Sequence, residues 1–342
     1  MKKIFLFALS ISFYSCLAQQ SKDLVNVDEM DFANTITSNE LKEHLYIFAS
    51  DEFEGRETGE PGQKKAAEYL KTEYKKLNIP SPLGKDDYFQ EVPASAFNGD
   101  IKDSENVVAF IEGSEKPEEI LVISSHYDHL GIDTEGNIFN GADDDGSGTV
   151  AILEIAEAFM KAKTDGFGPK RSILFLNVTG EEKGLIGSKY YTDNPIFPLA
   201  QTVADLNIDM IGRHDVAHEG NDNYVYLIGS DKLSTELHNL SEDVNSKYMN
   251  MDLDYTFNDK NDPNRFYYRS DHYNFAKNNI PIIFYFNGVH ADYHKMTDTP
   301  DKIEYNLLAK RAKLIFLTAW EIANRAERPF VDKPITGSPA AE

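Results

Sequence analysis

With 342 residues, 41% of them apolar, the chain has enough hydrophobic material for one large α/β domain or two ordinary ones, and global disorder is excluded. Its 34 basic side chains against 57 acidic ones leave a net charge of −23, which argues against nucleic acid and anionic membrane surfaces as partners. A single cysteine leaves no pair for an internal disulfide.

Taken in order, the chain opens with Lys2 and Lys3 and an apolar stretch over residues 4–13. This has the form of an export signal and is too short to span a bilayer. Cleavage after Ala18 gives a signal over residues 1–18. Ser15-Cys16 also reads as a loose lipobox, which would leave Cys16 as a lipid anchor. Both readings place the protein outside the cytoplasm: periplasmic, secreted or anchored at the outer membrane, with no transmembrane span. Residues 19–34 are polar and aperiodic and are expected to form a tether. The domain is expected over residues 35–328 and a C-terminal tail over 329–342.

Thr37-Ser38-Asn39-Glu40 is a capping box that opens a helix with Leu41, Leu45 and Phe48 on one face. The stretch Glu54 to Gly59, EGRETG, reads as a turn. A second helix is expected over residues 62–77, with Ala66, Leu70 and Leu77 inward, and residues 80–99 are loop-rich and extended. Strands are then predicted over residues 106–112, 120–124, 173–178, 204–210, 224–228 and 282–286. A well-buried helix is predicted over 149–163, and an amphipathic one closes the domain over 307–324. No repeat or low-complexity linker divides the chain. Strands separated by helical segments imply an α/β fold in one domain, with a mixed, mainly parallel sheet flanked by helices on both faces.

Polar residues follow the buried strands in a pattern. His126 and Asp128 come after the strand at 120–124, and Glu181 and Glu182 after that at 173–178. Asp209 falls at the end of 204–210, and His290 and His294 come after 282–286. Ligands of open α/β sheets bind at the carboxyl ends of strands, so four strands deliver imidazole or carboxylate to one edge. The run Asp143-Asp144-Asp145 joins them from the loop before the helix, and three adjacent like charges call for a cation. Imidazoles with carboxylates suit zinc, with cobalt or manganese also compatible. Five candidate ligands exceed the needs of one tetrahedral ion, whereas two ions sharing a carboxylate and a water would use them all. In the pair Glu181-Glu182, one carboxylate would bind metal and its neighbour would take the proton.

The stretches HYDHLG, GADDDGSG, NVTGEEKGLIGS, LNIDMIGR, RSDHYNF and DYHKMTDTPDKI, in this order, resemble the co-catalytic di-zinc aminopeptidase family. Its members include glutamate carboxypeptidases, glutaminyl cyclases and the transferrin receptor ectodomain. The resemblance covers residues 35–325. It implies two Zn2+, one held by His126 and Asp209, the other by Glu182 and His294, with Asp144 bridging. It further implies Glu181 as the base and Asp128 as a hydrogen-bonded orienter of His126. The activity implied is removal of N-terminal residues from peptide substrates. The alternatives on the same scaffold are a glutaminyl cyclase and a silent binding ectodomain. The interval from Leu77 to Asn106 is too short for the inserted domain of larger relatives.

Other residues have plainer readings. Asp143 and Asp145 are expected to cap the helix or hold the loop, His290 to be a pocket residue, and His129 a loop histidine. Ser270-Asp271-His272 is expected to be a buried hydrogen-bonded cluster rather than a nucleophilic triad. Arg213 stands equally near the site or in a structural ion pair. Residues 258–264 are oxygen-rich but read as a surface loop, because Pro263 stands where a calcium loop needs its glycine-led turn.

Overall fold

The computed structural model describes residues 28–84 and 86–335; the expected export signal and Cys16 lie outside the described residues. Helices α1 (Glu29–Ala33), α2 (Ser38–Phe48) and α3 (Pro61–Lys76) precede the first strand. The strands are β1 (Phe89–Val92), β2 (Ser104–Ile111), β3 (Lys116–His126), β4 (Gly131–Ile132), β5 (Ile138–Phe139), β6 (Arg171–Val178), β7 (Thr202–Ile208), β8 (Tyr224–Ile228), β9 (Asp252–Asp254) and β10 (Ile282–Phe286). Between and after them run α4 (Gly148–Thr164), α5 (Ile186–Asp193), α6 (Thr235–Val244), α7 (His272–Ala276) and α8 (Tyr305–Asn324).

Eight strands form one sheet in the order β1-β2-β6-β3-β7-β10-β8-β9, and β4 pairs with β5 apart from it. The central pairs β6–β3, β3–β7 and β7–β10 are parallel, while β1–β2, β2–β6 and β8–β10 are antiparallel. The sheet is therefore mixed, as the alternation of strands and helices predicts. Side chains of one strand alternate between two cores. Leu121 and Ile123 of β3 join α2, α3, α4 and α8 on one face, while Ile120 and Val122 join residues of α5 and α7 on the other. Covering both faces explains why the central strands read as unbroken apolar runs.

Two ends of the domain differ from expectation. Residues 29–33 form α1, which Asp28 caps, where a tether was expected. Burial of Phe32 and Ala33 holds this helix in the core, and five residues are too few to show a helical period in sequence. At the other end the main chain does not break away at residue 329. The N–H groups of Asp332 and Lys333 donate to the carbonyl of Leu233, and that of Ile335 to Asn279.

Helix α4 carries a buried acid, Glu154, which is 2% exposed. Its Oε1 has no hydrogen-bond partner, and His44 Nε2 lies 3.6 Å away. Burial, followed by the nearby Glu40 and Glu157, pushes its pKa from 4.5 up to about 8. Because the folded value is raised, the stability that comes with the retained proton is complete below about pH 4.5 and is lost as pH climbs towards 8. Glu154→Gln should therefore raise the thermal midpoint at pH 8 by roughly 2–8 °C and leave it nearly unchanged near pH 5. Calorimetry at both pH values checks this, and an equal shift at both would contradict it.

Candidate metal centre

The carboxyl ends of β3, β6, β7 and β10 lie side by side, and the loops that follow them converge. His126 is the last residue of β3, so it is fixed by the ladder itself. Its Nε2 lies 3.2 Å from Asp144 Oδ1 and 3.6 Å from Asp209 Oδ1. A second group adjoins the first. His294 Nε2 lies 3.0 Å from Asp144 Oδ2 and 3.4 Å from Glu182 Oε2. The two oxygens of Asp144 thus face different groups. His129 also enters the second group, with Nδ1 3.0 Å from Glu182 Oε1. The plain loop-histidine reading of its sequence missed this, because a lone histidine in a turn gives no spacing signal.

Several of these atoms are buried without a hydrogen-bond partner, including His126 Nε2, both ring nitrogens of His129, Asp144 Oδ2 and Glu182 Oε1. An unsatisfied buried polar atom costs about 1–3 kcal/mol, so five at one spot point to a bound cation. His126, Asp144 and Asp209 form one set of donor atoms close enough to share an ion, and His129, Asp144 and Glu182 form another. Nitrogen and carboxylate donors of this kind fit zinc.

The field of the site separates its acids. Burial pushes Asp144 upward, but the imidazoles of His126 and His294 outweigh it and hold the carboxyl well below the usual range. Glu182 is likewise held at about 2, where the imidazoles of His129 and His294 overcome burial and the nearby Asp144. Glu181 goes the other way. Burial, with Asp209, Glu182 and Asp271 close by, raises it well above the carboxylate range, so it is the acid of this group that most readily holds a proton.

Supporting contacts set the positions. Asp128 adjoins His126, whose Nδ1 lies 3.1 Å from the backbone oxygen of Asp128 and 3.6 Å from its carboxylate. That carboxylate also accepts from Thr58 Oγ1 at 2.7 Å and from the N–H of Glu181 at 3.1 Å. The turn geometry brings the carbonyl nearer to His126 than the side chain, so Asp128 meets His126 chiefly through its backbone and Glu181 through its carboxylate. Asp145 Oδ1 accepts from the N–H groups of Gly148 and Met210, and Asp143 Oδ1 from that of Gly212. Both hold the loop, as read from sequence. His290 is a buried partner of Asp143 at 3.1 Å.

Ser270, Asp271 and His272 point to three different partners. Ser270 Oγ donates to Asp209 Oδ2, Asp271 accepts from Ser188, and His272 Nε2 meets the carbonyl of Tyr267. They form a buried network with no triad. Arg213 pairs with Asp292 at 3.2 Å. Beside the donors lies a pocket lined by Glu181, Phe266, Phe284, Phe286, Val289 and Tyr293, with Arg269 and Met210.

Fully buried Arg56 was legible only as part of a turn. Its guanidinium donates to the carbonyls of Phe48, Tyr127, Asn140 and Gly141 at 2.7–3.2 Å. It thereby ties the loop after β3 to the loop before Asp144.

An α/β sheet that gathers imidazoles and carboxylates at the ends of four strands, with buried donor atoms suited to a cation, defines a metal-centre protein. The chain belongs to Peptidase family M28, whose sequence profile matches residues 106–319, more than half of it. Among curated relatives it is 29% identical over 224 residues to a probable leucine aminopeptidase of Arthroderma benhamiae, covering 64% of this chain and 57% of that protein. It is also 29% identical over 252 residues to leupeptin-inactivating enzyme 1 of Streptomyces exfoliatus, covering 73% and 48%. The chain thus spans about half the length of these relatives. Among solved structures, LapB from Legionella pneumophila superposes with a TM-score of 0.69 at 22% identity over 88% of this chain and 76% of that one. The aminopeptidase from Aneurinibacillus sp. strain AM-1 gives 0.65 at 16% identity over 90% and 99%. At these identities the two structures show the shared fold.

Arg56→Leu would take the guanidinium donors away from four carbonyls, of which that of Gly141 keeps the N–H of Gly146. It should cost about 3–5 kcal/mol and loosen both loops at once. Thermal unfolding with and without zinc checks this; a variant with wild-type stability and zinc uptake would contradict the clamp.

Proposed function

We propose that this chain is an exported, zinc-dependent aminopeptidase that hydrolyses N-terminal residues from peptides. The observation that carries this reading is the sharing of Asp144 between two donor groups, with Glu181 outside both and facing the adjoining pocket. In this reading His126 and Asp209 would hold one zinc and Glu182 and His294 the other, with Asp144 available to both. Two zinc ions bound here would polarise the scissile carbonyl and lower the pKa of a water to about 7.

The chain's own residues supply the rest. Glu181, whose backbone N–H is fixed by Asp128, takes the proton of the attacking water and returns it to the leaving amine. The substrate's ammonium group lies against the carboxylates around the donors. Its side chain enters among Phe266, Phe284 and Phe286, which favours an apolar N-terminal residue.

Glu181→Gln should retain zinc and lose about 10²–10⁴-fold in turnover. Metal analysis beside a rate assay checks both halves, and an active variant would sink the mechanism. A peptide library with free, acetylated and glutamine-headed N-termini, read by mass spectrometry, should show stepwise loss of unblocked residues, apolar ones fastest. Loss of ammonia from the glutamine-headed peptides alone would make the protein a cyclase and overturn the proposal.

A further inference from the structure

We infer that His129 is a positioning residue for Glu182: its Nδ1, 3.0 Å from Glu182 Oε1, would give that oxygen its proton when a cation is bound, leaving Oε2 to turn towards His294 and the cation position they share with Asp144. The inference rests on the zinc reading proposed above. The two oxygens of Glu182 face different imidazoles, Oε1 lying 3.0 Å from His129 Nδ1 and Oε2 3.4 Å from His294 Nε2. A carboxylate held by one oxygen presents the other in a single orientation.

The alternative is that His129, 3.0 Å from Glu182 Oε1 and close enough to share an ion with Asp144 and Glu182, is itself a metal donor, but its distance to Asp144 is against it. Its Nδ1 stands 3.8 Å from Asp144 Oδ2, whereas His294 Nε2 stands 3.0 Å from that atom. His294 is thus the imidazole placed where an ion shared by Asp144 and Glu182 needs one. The two rings stand edge to face, 5.9 Å between centroids.

The ring of His129 is also immobilised, as an orienting group must be. It is fully buried, and its backbone N–H donates to the carbonyl of Arg56 at 3.1 Å. Gly141 is left-handed, with φ +53°, and a Cβ there would come within 2.5 Å of His129 Cγ and Cδ2. The ring thus fills the space that a side chain at position 141 would take, which fixes its angle to Glu182.

The test is zinc titration of the purified full chain against a chromophoric chelator, for wild type, His129→Leu and His129→Asn. Asparagine places an amide N–H where Nδ1 stands and is a poor zinc ligand. His129→Leu should weaken the second zinc by about 10–100-fold while the first stays within about threefold, and His129→Asn should recover most of the loss. Two tight zincs in His129→Leu would overturn the inference. So would His129→Asn binding as weakly as His129→Leu, because that result makes His129 a ligand. If His129→Leu does not fold, as judged by its metal-free thermal midpoint, the comparison of His129→Asn with wild type decides. A second zinc within about tenfold of wild type supports the inference, and a lost one overturns it. Wild type that binds a single zinc would overturn the two-zinc reading itself, before any variant is compared.

Discussion

The structure depends on one electrostatic constraint: carboxylates and imidazoles are packed together, away from water, at the ends of four adjacent strands. Asp144 lies at its centre, with its oxygens 3.2 Å from His126 and 3.0 Å from His294. In a medium of low polarity such a group persists only if its charges are matched and its positions are held. The parallel centre of the sheet brings the strand ends together, and β2 and β8 join it antiparallel on either side, with β1 and β9 at the outer edges.

The three consecutive aspartates show how environment assigns roles to one residue type. Asp143 is held by His290 and the N–H of Gly212, and Asp145 by the N–H groups of Gly148 and Met210. Asp144, between them, has its oxygens directed at imidazoles alone. Burial raises Asp145 well above the carboxylate range while its neighbour is held well below it. Two aspartates therefore fix the loop so that the third can face the cation. Glu181 and Glu182 are divided in the same way, one raised and one lowered across a single peptide bond.

Much of this was legible in the sequence because buried parallel strands are apolar on both faces, and polar residues directly after them must lie at the strand ends. That reasoning places Glu181, Glu182 and Asp209 from local pattern alone, and the run of three like charges before a helix adds Asp144. It fails where the decisive contact is made between distant segments. His129 looks like any turn histidine until the fold brings Glu182 to its Nδ1, and Arg56 looks like a turn residue until Tyr127, Asn140 and Gly141 arrive around it. For Asp128, sequence does not say whether the carbonyl or the carboxylate of a residue will come nearer to a neighbouring ring. Helix α1 and strands β1 and β9, of five, four and three residues, are too short for periodicity to reveal.

The docking of α1 has a spectroscopic consequence. The chain has a single tryptophan, Trp320 on α8, and Phe32 of α1 stacks on it with ring centroids 5.5 Å apart. Phe159 and Phe316 complete the cluster at 5.9 and 5.8 Å. Trp320 belongs to the helical layer and not to the strand ends, so its fluorescence is a built-in reporter of whether the first helix is seated. Its emission follows the attachment of α1 to the fold separately from events at the metal centre.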